Sequence, residues 1–268
     1  MDDDLIALGL IDDDEIVLDE AALALALLDH SDVDDEPYHA VLRNISDRLS
    51  AIAPETSDAQ EQADLLAQVL GREFGFVGDS ETYDDPANAD LIRVIERRRG
   101  LPVSLSILYV GAARQLGWTA NVLDLPGHVL VLVGDEADPV IIDPFRRGQA
   151  VEPDQLAAMV HAMHPERVAV SHVAAMPNRA ILVRLLLNQA SRAEGEGRGR
   201  RALTLYQRMT VMAPSHGLAW WERARLEMVD GDFGAARSSL AAMLETTREP
   251  ALRQRISDVL ASLPRGQE

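Results

Sequence analysis

The stretch LPGHVLVLVGDEADPVIIDPF, residues 125 to 145, decides the central part of the fold. It contains two apolar runs of strand length, HVLVLVG and PVIID, joined by the polar segment DEAD, and this pattern predicts two buried strands of a hairpin. His128 opens the first run and Asp143 closes the second. If DEAD is the turn, the two side chains are cross-strand neighbours at one end of the hairpin.

The residues before this hairpin add a strand and two helices. TANVLDL, residues 119 to 125, predicts a third strand. LIRVIERRR (91 to 99) and SLSILYVGAARQLG (104 to 117) have apolar residues at helical spacing, and residues 100 to 102, Gly-Leu-Pro, interrupt the pattern between them. Because HVLVLVG is apolar at nearly every position, we expect helices to cover both faces of its strand.

The two ends of the chain are predicted to be helical. DEAALALALLDH and PYHAVLRNISDRLSAI suit helices, and a third helix is expected to start near Ser57, with Gln60 in a capping box. Residues 151 to 175 suggest a helix followed by a strand or loop, and helix returns from Asn178 onward. The expected fold class is therefore α+β.

An internal repeat marks the C-terminal segment. Ala202 and Tyr206 have counterparts 34 positions later in Ala236 and Leu240, and this is the tetratricopeptide period. The match covers barely two units, so these helices are expected to need support from the preceding domain. EGEGRGRR, residues 194 to 201, does not follow a strand, and we interpret it as a helix connector rather than an anion cradle.

Composition and charge restrict the class of protein. The chain has 268 residues, 47% of them hydrophobic, so it can bury a substantial core. Its formal net charge of −19 argues against nucleic acid as a partner, because phosphate binding needs a concentrated basic surface. No apolar run approaches the ~20 residues that span a bilayer, and MDDDLIALGL lacks the positive charge of a signal peptide. We expect a cytoplasmic protein without membrane contact.

The inventory of reactive side chains is equally restrictive. The sequence contains no cysteine, which excludes disulfides, zinc-thiolate sites and thiol nucleophiles. All 25 basic residues are arginine, so no lysine is available for Schiff-base chemistry. A metal site on His128 and Asp143 would need a third ligand from His161, His164 or His172, and nothing in the sequence brings these together. We predict neither a metal nor a cofactor.

Three segments between residues 74 and 149 carry a resemblance to a known family. They are FGFVGDSETYDDPANADLIRVIERRRGLPVSLSILYVGAARQLGW, LPGHVLVLV and IIDPFRRGQ, and the separations of ERRRGLPVSLS, LPGH and DPF make the combination specific. They resemble bacterial transglutaminase-like proteins of the SirB-one type, which join a transglutaminase-like core to degenerate tetratricopeptide helices. This chain departs from the family pattern in having Asn88-Ala89 for an asparagine-serine pair, and a valine where an aromatic residue often follows the histidine.

The resemblance implies an architecture in three parts. Residues 1 to 73 would form an acidic segment and helices, residues 74 to 175 a papain- or transglutaminase-like core with a small antiparallel sheet, and residues 176 to 268 a tetratricopeptide-like helical region. In active members a cysteine follows a glycine at the start of the core helix. The corresponding span here, residues 100 to 104, has none, and the cysteine position falls nearer Pro102 than Ser104.

The candidate catalytic residues that the resemblance implies are Ser104, His128 and Asp143. In one interpretation Ser104 is a nucleophile that loses its proton to His128 while Asp143 orients the ring. In the other, Ser104 caps its helix, a position that serine favours, and His128 and Asp143 form a structural or ligand-binding pair. Ser106 lies two residues further along the helix and is expected to point elsewhere.

Charged residues flank this region on both sides of Asn88, which is predicted to cap a helix. Arg97 to Arg99 suit a solvated helix end; alternatively they receive a carboxylate or phosphate, or dock the acidic N-terminal segment. The acids between Asp79 and Asp85 lack the spacing of a calcium loop.

Together these observations favour a catalytically degenerate protein that binds a protein or peptide through its helical repeat region. The alternative is a hydrolase or acyl transferase that uses Ser104, His128 and Asp143. The sequence indicates no particular oligomeric state.

Overall fold

A computed structural model describes residues 3 to 53, 58 to 125, 127 to 135, 138 to 163 and 175 to 264. The chain divides into two compact units, Asp13–Leu185 in one and Met1–Asp12 with Leu186–Glu268 in the other. The domain boundaries expected from the sequence, after residues 73 and 175, stay predictions. Ser57, His164 and His172, which figured in the sequence analysis, lie outside the described residues.

The described ranges contain mainly helices and two small sheets. The α-helices are α1 (Asp3–Leu10), α2 (Leu18–Leu27), α3 (Glu36–Ile52), α4 (Ala59–Leu66), α5 (Leu91–Arg97), α6 (Pro102–Gln115), α7 (Pro153–Met163), α8 (Asn178–Gly195), α9 (Gly199–Met212), α10 (Gly217–Val229), α11 (Phe233–Thr246) and α12 (Pro250–Ser262). The strands are β1 (Val77–Gly78), β2 (Arg99–Gly100), β3 (Ala120–Leu125), β4 (His128–Val133), β5 (Val140–Asp143) and β6 (Gln149–Ala150). Short 3-10 helices cover Asp13–Glu15, Pro86–Ala89 and Pro144–Arg146, and a π-helix covers Ala67–Glu73. No helix in these ranges is long and apolar enough to cross a membrane.

Helix α6 is the central element of the Asp13–Leu185 unit. Every residue from Pro102 to Ala113 is buried, as expected for a helix that is covered on all sides. Pro102 occupies the first turn, where its fixed φ suits a helix and its missing N–H costs nothing. Gly117 then leaves the helix with a φ of 76°, so the predicted helix and its stop signal are confirmed.

The larger sheet has the strand order β3-β4-β5-β6, with each pair antiparallel. The three strands predicted from the sequence are therefore present, together with a short fourth strand. Four of the six residues of β4 are buried, because α6 packs against this part of the sheet. Helices around a small antiparallel sheet confirm the predicted α+β class.

The helices before this core follow the predicted pattern with local differences. The apolar stripe of α3 buries Leu42, Ile45 and Leu49, as expected. Helix α4 is capped by Asp58, whose carboxylate accepts a hydrogen bond from the Glu61 N–H at 2.9 Å. Helix α1 was not predicted as a separate element, and the π-helical geometry after α4 has no sequence signature that distinguishes it from an ordinary helix.

The second unit consists of α1 and the helices that follow Leu186. Helices α9 and α11 begin 34 residues apart, at Gly199 and Phe233. Ala202 and its counterpart Ala236 are both fully buried. The glycine-rich segment from residue 194 joins α8 to α9, which confirms its interpretation as a connector.

Candidate functional site

His128 and Asp143 lie on neighbouring strands and touch. Val131 is paired with Ile142, so Leu130 is opposite Asp143, and His128 is two residues away on the same face. His128 Nε2 and Asp143 Oδ2 are 3.0 Å apart. The contact expected from the sequence is present, although the two residues are diagonal rather than directly opposite.

The partners of the pair hold it in one orientation. Asp143 Oδ1 accepts a hydrogen bond from the Phe145 N–H at 3.0 Å, while Arg146 Nε lies 3.6 Å from Asp143 Oδ2. The ring of Phe145 packs edge-on against His128, with 6.2 Å between ring centroids. The Asp143 side chain is 4% exposed and that of His128 is 21% exposed. A buried carboxylate therefore orients a partly accessible imidazole, which is the arrangement of a base and its orienting acid.

Ser104 makes no hydrogen bond with His128 among the described residues. Its hydroxyl is buried and donates a hydrogen bond to the Asn88 carbonyl oxygen at 2.7 Å. A serine nucleophile needs its hydroxyl directed to the base. Here the hydroxyl proton is held by a backbone carbonyl of the preceding loop.

The expectation that Ser104 caps its helix is wrong. The N-cap residue of α6 is Leu101, and Ser104 lies inside the first turn. The difference arises because Pro102, with its preset φ, starts the helix three residues earlier than a cap at Ser104 would. Ser104 instead ties α6 to the loop that contains Asn88.

Asn88 has a different role from the predicted cap. It lies in the 3-10 helix before α5, and Asp90 caps α5 by accepting a hydrogen bond from the Arg93 N–H at 3.2 Å. The Asn88 side chain donates to the Thr82 carbonyl at 2.7 Å, and its own carbonyl also accepts from the Leu101 N–H at 2.9 Å. Asn88 thus joins the acidic loop to the start of α6, a function that its sequence position did not indicate.

The arginines before α6 are engaged by that acidic loop. Arg97 Nη2 is 2.8 Å from Asp79 Oδ2, and Arg99 Nη1 is 3.0 Å from Glu81 Oε2. Burial by itself would raise the pKa of Asp79, but hydrogen bonds from Thr82 and the charge of Arg97 outweigh it and lower the pKa from 3.8 to about 2. Asp79 is therefore ionised, and its ion pair with Arg97 holds the acidic loop in place.

Two hydroxyl groups of α6 are buried without a hydrogen-bond partner among the described residues. They belong to Ser106 and Tyr109. Burial raises the pKa of the Tyr109 hydroxyl, and the nearby charge of Asp143 raises it further. Both groups are fully buried and are not positioned to react with a ligand from solvent.

Asp143 also lines a cavity of about 740 Å³. Three arginines contribute to its wall: Arg72 from the π-helix, and Arg146 and Arg147 from the turn after β5. Sequence patterns did not single out these arginines. The RRG triplet after DPF was visible, but nothing in the sequence indicated that Arg72 lies beside it. Within the described residues, no cluster of three histidine, aspartate or glutamate side chains is suitable for a metal ion.

Known proteins match this chain over most of its length. A UPF0162 protein of Xylella fastidiosa (strain 9a5c) is 27% identical over 244 residues, which cover 89% of this chain and 87% of that protein. A UPF0162 protein of Vibrio cholerae is 28% identical over 178 residues, covering 65% and 66% of the two chains. Among solved structures, a crystal structure of menin covers 95% of this chain and 72% of its own, with 12% identity and a TM-score of 0.43, which is too low to indicate a shared fold.

A family model supplies the assignment. The model described as the transglutaminase-like superfamily matches residues 36–187, the part of the chain that contains α6, the larger sheet and the His128–Asp143 pair. Since this match covers more than half of the 268 residues, the chain belongs to the transglutaminase-like superfamily.

Proposed function

We propose that this chain is a catalytically inactive transglutaminase-like protein of the SirB-one type that binds a protein or peptide partner in the cytoplasm. The observation that carries the proposal is the state of Ser104, the hydroxyl closest in sequence to the position of the missing cysteine. It is buried and bonded to the Asn88 carbonyl, while His128 and Asp143 remain paired.

The chemistry of the pair supports this proposal. A histidine held by an aspartate activates a nucleophile only when a thiol or hydroxyl group lies within its hydrogen-bond reach. The chain contains no thiol, and the Ser104 hydroxyl is directed to a carbonyl oxygen. What remains is a preorganised polar pair whose imidazole is partly exposed and is suited to hydrogen bonding with a bound chain.

The C-terminal helices supply the second part of the proposal, a tetratricopeptide-like surface for the partner. The 34-residue offset between α9 and α11 and the matched burial of Ala202 and Ala236 support a repeat of paired helices. Helix α10 also exposes large apolar side chains, with Leu218 51% and Val229 74% accessible. Stacked helix pairs commonly present such side chains to peptide partners.

The absence of catalysis is tested with ester and amide substrates. We expect purified wild-type protein and the His128→Ala variant to give the same rate as buffer alone. The alternative function, a hydrolase or acyl transferase that uses Ser104, His128 and Asp143, predicts a wild-type rate that both Ser104→Ala and His128→Ala abolish. That outcome would refute the inactive assignment.

Binding is tested by affinity capture with the full chain as bait and quantitative mass spectrometry. We expect an enriched partner whose capture falls when Leu218 and Val229 are both changed to serine. Val17→Ser is the matched control, because Val17 is an apolar residue that is 55% exposed outside the C-terminal helices. Equal capture by the wild type and the double variant would contradict a binding role for α10.

A further inference from the structure

The cavity beside Asp143 has a cationic rim in an otherwise acidic protein. The formal net charge of the chain is −19, yet Arg72, Arg146 and Arg147 all face this cavity. Asp64 and Asp143 are the acids in its wall; Asp143 is engaged by His128, and its Oδ2 also lies 3.6 Å from Arg146 Nε. In the part of the chain that the structure covers, no carboxylate lies within ion-pair distance of Arg72 or Arg147. Three guanidinium groups are therefore gathered with few internal partners.

The backbone is shaped to bring these arginines together. Arg147 adopts the left-handed conformation, with a φ of 59°, which costs energy for a residue other than glycine. Gly71, which precedes Arg72, lies very close to Arg147. A Cβ atom on Gly71 would be 2.4 Å from the Arg147 carbonyl oxygen. Gly71 and Arg72 belong to the π-helix Ala67–Glu73, and π-helical turns are frequent at functional sites. The cluster thus depends on two unusual backbone segments in contact.

The cavity also borders an edge of the larger sheet that has no further strand partner among the described residues. Strand β6 is the last strand of the sheet, and its residues Gln149 and Ala150 are both exposed and line the cavity. The Val151 N–H donates to the Ile141 carbonyl at 2.7 Å, so the neighbouring Ala150 directs its own N–H and C=O away from β5. These groups are available to pair with an added extended chain.

Part of the remaining wall is apolar, beside the polar Gln155. This apolar part includes Val151 after β6, and Ala158 and Met159 from α7. An extended peptide alternates its side chains, so one set can contact these apolar residues while acidic side chains of the other set reach the arginines. The volume of about 740 Å³ lies within the range of ~300–1,000 Å³ that ligand-binding pockets usually have.

From these observations we propose that the cavity binds an extended acidic peptide segment. The peptide main chain pairs with the free edge of β6, and its carboxylates form charge-assisted hydrogen bonds with Arg72, Arg146 and Arg147. This assignment rests on the proposed function and adds a second contact surface to it, with a stated ligand chemistry. The edge strand favours a peptide over a small free anion, because a small anion makes no use of the Ala150 main-chain groups.

The test uses a fluorescein-labelled peptide that contains Glu-Val-Glu-Val-Glu and a matched peptide in which glutamine replaces each glutamate. Fluorescence polarisation with the full chain measures the Kd of each. We expect the acidic peptide to bind at least about tenfold more tightly, since every lost carboxylate removes a charge-assisted hydrogen bond. We also expect the affinity to fall as the KCl concentration rises. Equal affinities for the two peptides would overturn the proposal.

Variants locate the binding site. Arg72→Gln and Arg146→Gln change exposed side chains, and each is expected to weaken binding of the acidic peptide about tenfold. Arg147→Asn is expected to have a similar effect, and asparagine tolerates the left-handed backbone at this position. Arg200→Gln, an equal change of charge on the exposed surface of α9, is the control and should leave the Kd unchanged. Wild-type affinity in the three cavity variants would refute the site.

Competition experiments distinguish a peptide from a small anion as the ligand of the cavity. Together with the hydrolysis assay, they also distinguish failure of this proposal from failure of the proposed function. Sodium glutamate and inorganic phosphate are expected to displace the peptide only at concentrations far above its Kd. Displacement by either anion near the peptide Kd would overturn the peptide assignment. Ester hydrolysis that depends on His128 would overturn the proposal of an inactive protein and leave the peptide measurement valid. Equal binding of the acidic and the glutamine peptide would overturn the cavity assignment alone.

Discussion

Asp19 offers the sharpest quantitative prediction, because it is a carboxylate buried in the first turn of α2. The residue is 2% exposed, and Asp19 Oδ2 accepts a hydrogen bond from Gln115 Nε2 at 3.1 Å. Asp19 Oδ1 has no hydrogen-bond partner among the described residues. The carboxyl group lies against the Cα of Gly111, where a Cβ atom would come within 2.4 Å of it. Any side chain at position 111 would therefore displace the carboxyl group.

Burial sets the direction of the Asp19 pKa shift. Loss of hydration raises the pKa from 3.8 to about 6, and the negative charge of Glu20 adds to this, while Arg114 opposes it. Between pH 3.8 and about 6, Asp19 is therefore protonated in the folded protein and ionised in the unfolded chain. By linkage, the stability associated with protonated Asp19 is fully present below pH 3.8 and is lost as the pH rises to about 6.

The magnitude follows from the size of the shift. A change from 3.8 to about 6 corresponds to a cost of about 3 kcal/mol once Asp19 is ionised in both states. Asp19→Asn keeps the shape and removes the charge, so the variant should exceed the wild type in free energy of unfolding by about 3 kcal/mol at about pH 7.5. At about pH 5 the difference should be about half as large, because folded Asp19 is then mostly protonated.

Urea unfolding followed by circular dichroism measures both values. Asp47→Asn, which removes an exposed carboxylate of α3, is the matched control and should change the free energy of unfolding by less than about 0.5 kcal/mol. If Asp19→Asn is destabilising, or if its effect is the same at both pH values, the reasoning from a desolvated carboxylate is wrong.

Three further predictions concern packing. Tyr109→Phe should raise the free energy of unfolding by about 1 kcal/mol in urea titrations, because it removes a buried hydroxyl that has no partner among the described residues; a loss of similar size would indicate a hidden partner. Gly71→Ala should lower the free energy of unfolding by about 1–3 kcal/mol, since the new methyl group meets the Arg147 carbonyl. An unchanged free energy would show that the turn at Arg147 can move. Leu240→Ala should cost about 2–5 kcal/mol in thermal or urea unfolding, because Leu240 is 1% exposed in the core of the C-terminal helices, and a cost below 1 kcal/mol would argue against that core.

The order of elements around the site was predictable from local sequence patterns. The alternation of apolar runs and turn residues predicted β3, β4 and β5, and Pro102 and Gly117 mark the two ends of α6. These signals suffice because strand period, helix period and turn chemistry are properties of neighbouring residues. The resemblance of these segments to transglutaminase-like proteins is confirmed at the level of the superfamily.

The local role of several polar residues was not predictable. Ser104 suits a helix cap by residue type, but Pro102 started the helix earlier and the serine hydroxyl turned to the carbonyl of Asn88. The caps of α4 and α5 are Asp58 and Asp90, each close to the residue that sequence patterns had suggested. Several oxygen-bearing side chains compete for each helix start, and packing decides between them.

By itself, then, the sequence determined the order of α6, β3, β4 and β5, the meeting of His128 with Asp143, and the loss of the thiol. The tertiary structure decided which groups remain available for chemistry or binding. It buried the Ser104 hydroxyl, and it placed Arg72 beside Arg147, more than seventy residues away in the chain, through the close approach of Gly71. The physical reason is that periodicity reports on neighbours in sequence, whereas cavities and charge clusters arise from close packing between distant segments.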